Sequence, residues 1–264
     1  MALHHVILAG AKASAPATGA NSQGAVRMPI VGPQHGAMHT DVARVELAGG
    51  DRTATHAHAF EQSVYVLSGS PTIELDGVAW QAGAGEGALI PVGAAHALAA
   101  ERGPATWLEI AAPPARPGTP EDTWPIDAAA AHEGRSRWAF RDPGEQPATL
   151  PTDAAIRFGG STIRMLLDAH HGAALHTLFT VRFAPGASLA AHDHPFEEAY
   201  VVLAGRVDAV ADGDRITLGP GDALWTAVGC IHAFANPYDV PVRWLETQAP
   251  QPPARYAFRF VPEA

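Results

Sequence analysis

The chain has 264 residues, of which 27 are acidic and 17 are basic, so its formal net charge is -10. This acidic balance argues against a nucleic-acid-binding surface and against an anionic membrane surface as a partner. The 26 glycines and 23 prolines show no Gly-X-Y period and favour many short strands joined by turns. The single cysteine, Cys230, excludes an internal disulfide framework, which suits a reducing cytoplasm.

The first 28 residues have little capacity to bury a core. Residues 1–28 are rich in Ala, Gly, Ser and Thr, so we predict an arm that is either loose or laid across another part of the protein. The arm has no cationic start, and no later stretch approaches the ~18 apolar residues of a membrane span. We therefore expect a soluble, cytoplasmic protein.

The rest of the chain contains an internal duplication. With a constant offset of 136 residues, Gly50, His56, His58, Gln62, Gly69 and His96 return as Gly186, His192, His194, Glu198, Gly205 and His232. The segment 34–40 similarly returns as 170–177, and 106–109 as 243–246. The sequence therefore predicts two copies of one domain, at residues 29–114 and 161–264, separated by a linker at 115–160.

Short apolar runs bounded by Gly, Pro and Asp predict strands in both copies. The clearest runs are 62–67, 88–91, 175–183, 199–203 and 240–246. Neither copy shows a convincing amphipathic helix of ten or more residues. The expected fold class is all-β.

The second copy carries a set of residues spaced to hold one divalent metal ion. These candidate ligands are His192, His194, Glu198 and His232. The two histidines at 192 and 194 face the same side of a strand, and we expect the period of two to continue to Glu198 after a turn at Pro195. A neighbouring strand would bring His232 opposite. Buried structural histidines are the alternative interpretation.

This pattern resembles the two sequence motifs of the cupins. The first motif corresponds to Gly186, His192, His194, Glu198 and Gly205, and the second runs from Gly221 through Gly229 to His232 and Asn236. One position departs from the family, because Ala227 stands where cupins usually have proline. The resemblance implies two tandem jelly-roll β-barrels in one chain, a bicupin. It also implies manganese, iron or nickel as the metal, while the ligand set alone would equally suit zinc, cobalt or copper.

The first copy offers an analogous but uncharged set. Its candidate ligands are His56, His58, Gln62 and His96. The acidic Glu61 lies one residue before the glutamine and is predicted to point to the opposite face of the strand. Because a neutral amide adds no Coulombic attraction, we expect the first site to bind its metal more weakly than the second.

Four further residues are candidates for catalysis. Glu109 and Glu246 lie two residues after Trp107 and Trp244, so each acid shares a strand face with a tryptophan. An acid beside an aromatic surface has a raised pKa and could act as a general base. The alternative is an ion pair with an arginine such as Arg182 or Arg243. His39 and His176, in the duplicated His-Gly-Ala segment, are the other two candidates.

The resemblance implies two classes of function. The first hypothesis is a metal-dependent enzyme that acts on a small oxygenated organic molecule, similar to the quercetinase-like dioxygenases of the family. Ureidoglycine aminohydrolase-like hydrolysis, isomerisation and decarboxylation are alternatives within the enzyme class. The second hypothesis is a binding module without chemistry, although the retained ligand positions favour an enzyme. We expect a homodimer with a small-molecule substrate, because cupins usually cover their sheet edges by association.

Overall fold

The computed structural model describes residues 4–7, 25–115, 122–126, 132–133, 137–142, 159–252 and 259–261. The regular elements of these residues are β-strands and two single-turn 3₁₀ helices, Pro33–His35 and Ala169–His171. Within them, no helix is long and apolar enough to cross a membrane. The all-β prediction is confirmed.

The strands are short and alternate with tight turns. In chain order they are β1 (His4–Ile7), β2 (Ala25–Val31), β3 (Asp41–Leu47), β4 (His56–His58), β5 (Glu61–Ser68), β6 (Thr72–Leu75), β7 (Val78–Gln81), β8 (Glu86–Ile90), β9 (His96–Ala99), β10 (Ala105–Ala112), β11 (Thr123–Pro125), β12 (His132–Glu133), β13 (Ala139–Arg141), β14 (Ser161–Leu167), β15 (Thr177–Phe183), β16 (Ser188–Asp193), β17 (Glu197–Ala204), β18 (Val207–Ala211), β19 (Asp214–Leu218), β20 (Ala223–Thr226), β21 (His232–Ala235), β22 (Val242–Ala249) and β23 (Arg259–Phe260).

The chain divides into two compact units, each built from two sheets. The N-terminal barrel comprises described residues of 12–142 and 169–175, with strand orders β13-β8-β5-β10-β3-β2 and β11-β4-β9-β6-β7-β12. The C-terminal barrel comprises those of 1–11, 143–168 and 176–264, with strand orders β1-β20-β17-β22-β15-β14 and β19-β18-β21-β16-β23. Neighbouring strands are antiparallel except for β12 and β7.

Each barrel buries one hydrophobic core between its sheets. In the C-terminal barrel the period of two along β17 and β22 directs Tyr200, Val202, Val242 and Trp244 into this core. The N-terminal core is built in the same way around Val64, Val66 and Trp107. Because Glu198 and Glu246 continue these inward faces, the alternation that forms the core also carries carboxyl groups into the barrel.

The strands cross several of the boundaries expected from the sequence. β2 runs across residues 28 and 29, so part of the predicted arm belongs to the N-terminal barrel. β1 lies in the arm and pairs with β20 of the C-terminal barrel. Three short strands of the predicted linker, β11, β12 and β13, pair with β4, β7 and β8.

A segment of the second repeat, residues 169–175, belongs to the N-terminal barrel. The backbone N–H groups of Ala174 and Leu175 donate to the two carboxylate oxygens of Glu61, at 2.7 and 2.9 Å. Gly172 has a φ of +88°, and an added Cβ would lie 2.2 Å from the Trp138 ring. Glu61 therefore has a structural partner, in agreement with the expectation that it does not replace Gln62 as a ligand.

Candidate metal centre

Three histidines of the C-terminal barrel converge at one end of β16 and β21. His192 on β16 is the direct antiparallel partner of His232 on β21, and His194 follows immediately after β16. One ring nitrogen from each of the three lies within 4.8 Å of the other two, and all three residues are buried. The predicted pairing of neighbouring strands therefore brings these imidazoles together.

Glu198 completes the group from the facing sheet. The prediction that it continues the same extended arm as the two histidines is wrong, because the chain leaves β16 at His194 and enters β17, in the other sheet. The Oε2 atom of Glu198 lies 3.3 Å from Nε2 of His194 and 3.1 Å from Nε2 of His232. The carboxylate thus faces the histidines across the barrel interior.

Backbone carbonyls fix the orientation of the imidazoles. Nδ1 of His192 lies 2.7 Å from the Ala190 carbonyl oxygen, and Nδ1 of His232 lies 3.0 Å from that of Cys230. Since a carbonyl only accepts, Nδ1 carries the proton and the Nε2 lone pair is left for a metal. Two ligands about 2.1 Å from one ion lie roughly 3.0 to 3.4 Å apart for octahedral or tetrahedral angles. The separations from Glu198 fall in this range.

Two further side chains hold Glu198, and the sequence analysis did not identify either. Gln248 donates from Nε2 to Oε1 at 2.8 Å, and the Tyr200 hydroxyl donates to Oε2. The equivalent strand positions in the N-terminal barrel are Ala111 and Val64. The signal that could have found them is the difference between the repeats at these two positions, which are polar in the second repeat and apolar in the first.

The electrostatics of the group suit a divalent cation. Burial lowers the pKa of His192 to about 3, and the neighbouring His232 adds to the effect. Burial alone would raise the pKa of Glu198, but His194 and His232 outweigh it and lower the pKa to about 2. A neutral imidazole and an ionised carboxylate are the forms that bind metals.

A small cavity of about 140 Å³ is lined by two of the four residues, His192 and His194. Its walls are mainly apolar and come from β14, β15, β21 and β22, with Ile163, Phe179, Val181 and Phe234 among them. The polar side chains that line it include His192, His194, Tyr200, Glu246 and Gln248. A molecule in this cavity would touch the imidazoles of His192 and His194 and the Glu246 carboxyl group together.

The two glutamates proposed for catalysis have different environments. Glu246 accepts from the Trp244 indole N–H at 2.8 Å, and burial followed by the charge of Glu198 raises its pKa well above the ordinary value. Glu109 accepts from the Trp107 indole at 3.1 Å and also from Nε of Arg27 at 3.3 Å. Glu246 is thus a buried carboxylic acid that lines the cavity, whereas Glu109 is one half of an ion pair.

The ion pair of Glu109 corresponds to the arginine alternative, with Arg27 in place of the suggested Arg182 or Arg243. Arg27 also pairs with Asp41. The position equivalent to Arg27 in the second repeat is Ile163, which lines the cavity. At this position the first repeat therefore has a charged residue in an ion pair, and the second repeat has an apolar residue in the cavity wall.

The two remaining catalytic candidates lie apart from this cavity. His176 is fully buried in the C-terminal barrel, and its backbone oxygen accepts from Gln251 at 3.3 Å. His39 is half-buried in the N-terminal barrel. Among the described residues, neither histidine lines the cavity beside Glu246. We therefore do not propose a catalytic role for either one.

The N-terminal barrel brings together the equivalent histidines. His56 pairs directly with His96, and the centroids of their rings are 4.1 Å apart. Nδ1 of each of the three imidazoles lies 2.7 to 3.0 Å from a backbone carbonyl oxygen, those of Ala54, Phe60 and Ala94. Nε2 of His58 and of His96 is buried without a hydrogen-bond partner in the described part of the chain. These orphaned acceptors fit a metal.

The N-terminal group is looser than its counterpart. Of the described residues, only two groups place three potential ligand atoms within 4.8 Å of one another, and His56, His58 and His96 are not one of them. Burial lowers the pKa of His58 to about 4, so the imidazole is neutral. Gln62 is buried on β5 and brings no charge.

The second of those groups contains His4, Asp212 and Cys230. Asp212 accepts from the Ile231 backbone N–H at 3.0 Å, as Asp76 does from that of Ala95 in the N-terminal barrel. The same turn therefore forms where no cysteine stands, and we interpret Asp212 as a turn residue.

Comparison with known proteins agrees with this geometry. The protein-family model for the cupin domain matches residues 43–111 and again residues 179–247, together more than half of the chain. The chain belongs to the cupin family. Two matches in one chain make this cupin a bicupin, as the sequence motifs predicted.

The relatives of this bicupin include a curated protein that is named as a polyketide synthase protein. The chain is 30% identical to the tetracenomycin polyketide synthase protein TcmJ of Streptomyces glaucescens over 125 residues, which are 47% of this chain and 82% of TcmJ.

Solved structures with the same fold include oxalate decarboxylases. That of Lactobacillus farciminis, in a formate complex, has a TM-score of 0.71 and 13% identity over 99% of this chain and 89% of its own. That of Bacillus subtilis at pH 4.6 has a TM-score of 0.66 and 15% identity over 91% and 75%. At these identities the likeness concerns the fold.

Proposed function

We propose that this bicupin is a metal-dependent enzyme that acts on a small oxygenated organic molecule in its C-terminal barrel, by dioxygenase-type chemistry. One observation carries the proposal: two of the candidate metal ligands, His192 and His194, line the same apolar cavity as the buried Glu246 carboxyl group. A buried acid with a shifted pKa beside a ligand set is typical of a reaction site. A protein that only stores or binds a ligand has no need of that acid.

The residues present fit a first-row divalent ion. His192, His194, His232 and Glu198 would hold it in the C-terminal barrel, and His56, His58, His96 and Gln62 would hold a second ion more weakly. When bound, manganese, iron or nickel would polarise a substrate oxygen and could supply redox chemistry with dioxygen. Three nitrogens and one oxygen leave coordination positions for the substrate.

The residues around the metal-ligand group have three separate roles. Gln248 fixes one oxygen of Glu198 and so keeps the carboxylate turned toward the histidines. Burial and the charge of Glu198 raise the pKa of Glu246 and so favour its protonated form, which can give a proton to a substrate oxygen or carbon and take one back once ionised. The apolar walls exclude water from the reacting atoms.

The cavity favours a neutral substrate. Its volume of about 140 Å³ is small, and no lysine or arginine is among the described residues that line it. A dianion would therefore enter without a counter-ion other than the metal. TcmJ is named as a polyketide synthase protein, and polyketides carry ketone and phenol oxygens. We propose a ketone, enol or phenol as the group that meets the metal.

Decarboxylation is the second candidate. A protonated Glu246 could deliver a proton to a carbon atom that has lost carbon dioxide, and solved structures with this fold are oxalate decarboxylases. The absence of a cation from the described cavity wall makes a carboxylate substrate the weaker proposal.

Elemental analysis joined to oxygen-electrode traces tests the proposal. We expect the metal-loaded protein to consume dioxygen with at least one member of a panel of flavonols and β-diketones, and His194→Ala to abolish the uptake. His170→Ala, an exposed histidine outside the ligand group, is the matched control and keeps it. Carbon dioxide release without oxygen uptake would favour decarboxylation, and ammonia release from ureido compounds would favour hydrolysis. Tight binding of every compound without turnover would contradict an enzyme.

A further inference from the structure

A tyrosine hydroxyl stands among the ligand atoms of the C-terminal barrel. The Tyr200 hydroxyl donates to Oε2 of Glu198 and lies 3.0 Å from Nε2 of His232. That Nε2 is in turn 3.1 Å from the same carboxylate oxygen. The three residues are 1 to 2% exposed, so these atoms form a compact triangle enclosed by the barrel.

Each corner of the triangle presents a lone pair. Nδ1 of His232 is bonded to the Cys230 carbonyl, which leaves Nε2 as an acceptor. The carboxylate is an acceptor, and the phenol brings one proton, which it donates to Glu198. A divalent cation could contact all three atoms, because the two separations from Nε2 of His232, 3.0 and 3.1 Å, are those of neighbouring ligands of one ion.

The comparison of the repeats indicates that Tyr200 is not required by the barrel itself. Glu198, Tyr200 and Val202 share the inward face of β17, as Gln62, Val64 and Val66 share that of β5. The apolar Val64 fills the equivalent position where the candidate ligand is a neutral glutamine. The tyrosine therefore accompanies the carboxylate site.

We infer that Tyr200 is a fifth protein ligand of the metal ion in the C-terminal barrel, an inference that rests on the metal binding of the proposed function. Coordination forms a bond between the metal and the phenol oxygen, breaks the O–H bond and releases that proton to solvent. A six-coordinate ion would then keep one open position, so a substrate would bind through a single atom or displace a ligand.

Ferric iron is the probe, because a phenolate bound to Fe³⁺ absorbs visible light and shows phenolate vibrations in resonance Raman spectra. We expect iron-loaded native protein to show both signals and Tyr200→Phe to lose both. Tyr238→Phe is the control within the same barrel, since its hydroxyl bonds to Asp208 on β18, and it should keep them. Thermal unfolding of the iron-free variants checks that removing a hydroxyl leaves the barrel folded.

Several outcomes would overturn the inference. Native protein that holds ferric iron in this barrel without phenolate vibrations would show that Tyr200 is not a ligand, and so would their survival in Tyr200→Phe. Protein that takes up no ferric iron would remove the metal site and the inference with it. No substrate is used, so an inactive protein with the phenolate signals would contradict the proposed reaction while supporting the ligand.

Discussion

At the scale of single residues, the two barrels differ at a few positions that decide their chemistry. The positions of Glu198, Ile163 and Tyr200 in the second repeat are held by Gln62, Arg27 and Val64 in the first. The first pair sets the charge beside the histidines, and the second decides whether the barrel interior holds an ion pair or a cavity wall. The duplicated scaffold therefore has one carboxylate-bearing site beside a cavity and one neutral site in a barrel that holds a partly buried ion pair.

Exchanging the glutamine for the carboxylate should tighten the N-terminal site. Gln62→Glu adds a negative charge beside three neutral imidazoles, so we expect the weaker of two dissociation constants for Mn²⁺ to fall at least tenfold, or about 1.4 kcal/mol. Competition with a fluorescent chelator measures both constants. Gln81→Glu, on an exposed position of β7, controls for the change in net charge. An unchanged weaker constant would contradict metal binding by this group.

The pKa of Glu246 makes a separate prediction about stability. Burial, followed by the charge of Glu198, raises this pKa in the folded protein, so folding favours the protonated acid. That contribution is complete below the unfolded pKa of about 4.5 and is lost as the pH rises toward the folded value. Glu246→Gln has no proton to lose. In chelator-treated protein, its melting temperature relative to native should therefore rise from pH 5 to pH 8.

Glu46→Gln, which alters a half-exposed carboxylate paired with Arg44, is the control for this experiment. The same difference in melting temperature at pH 5 and pH 8 for Glu246→Gln would show that Glu246 is ionised in the folded protein. It would then lose its assigned role as a proton donor.

The convergence of the three histidines could be predicted from the sequence, and the residues that hold Glu198 could not. Two histidines at a spacing of two on an extended chain point to the same side, so the proximity of His192 and His194 follows from strand geometry. Tyr200 was missed because an aromatic residue on the inward face of a strand is usually core. Arg27 was missed because the composition of the preceding residues placed it in the arm, although β2 begins at Ala25.

At the scale of elements, turns and sheet changes position the ligands. Glu198 reaches the histidines because the chain changes sheets between β16 and β17, which strand periodicity cannot predict. The packing of residues 169–175 into the N-terminal barrel depends on Glu61, more than a hundred residues earlier. Both features rest on long-range contacts.

The motif glycine after β17 should be intolerant of a side chain. Gly205 has a φ of +75°, and an added Cβ would lie 2.3 Å from the Pro241 carbonyl oxygen. Gly205→Ala therefore combines the left-handed backbone cost of about 1 kcal/mol with a clash of about 1 to 3 kcal/mol. Gly213→Ala, at a φ of +90° with no described atom within 4 Å of the added Cβ, should lose only the first. Equal melting temperatures for the two variants would contradict this explanation.

At the scale of the whole molecule, we predict a homodimer. β2 and β14 end their sheets, and Val26 and Met165 on these strands are 36% and 41% exposed. Unpaired strand edges with apolar residues are usually covered by association. Light scattering at micromolar concentration should therefore give a mass of twice 27.5 kDa. A mass of 27.5 kDa that persists when the protein is concentrated tenfold would rule the dimer out.

We predict that the C-terminal barrel holds the more tightly bound metal. The ratio of metal to protein, followed while the protein is dialysed against a mild chelator, tests it in native protein, His194→Ala and His58→Ala. Native protein should lose one ion early and keep the other, because only one site has a charged carboxylate among its ligands. His58→Ala should keep the long-lived ion and His194→Ala should lose it. Retention of that ion by His194→Ala would contradict the account.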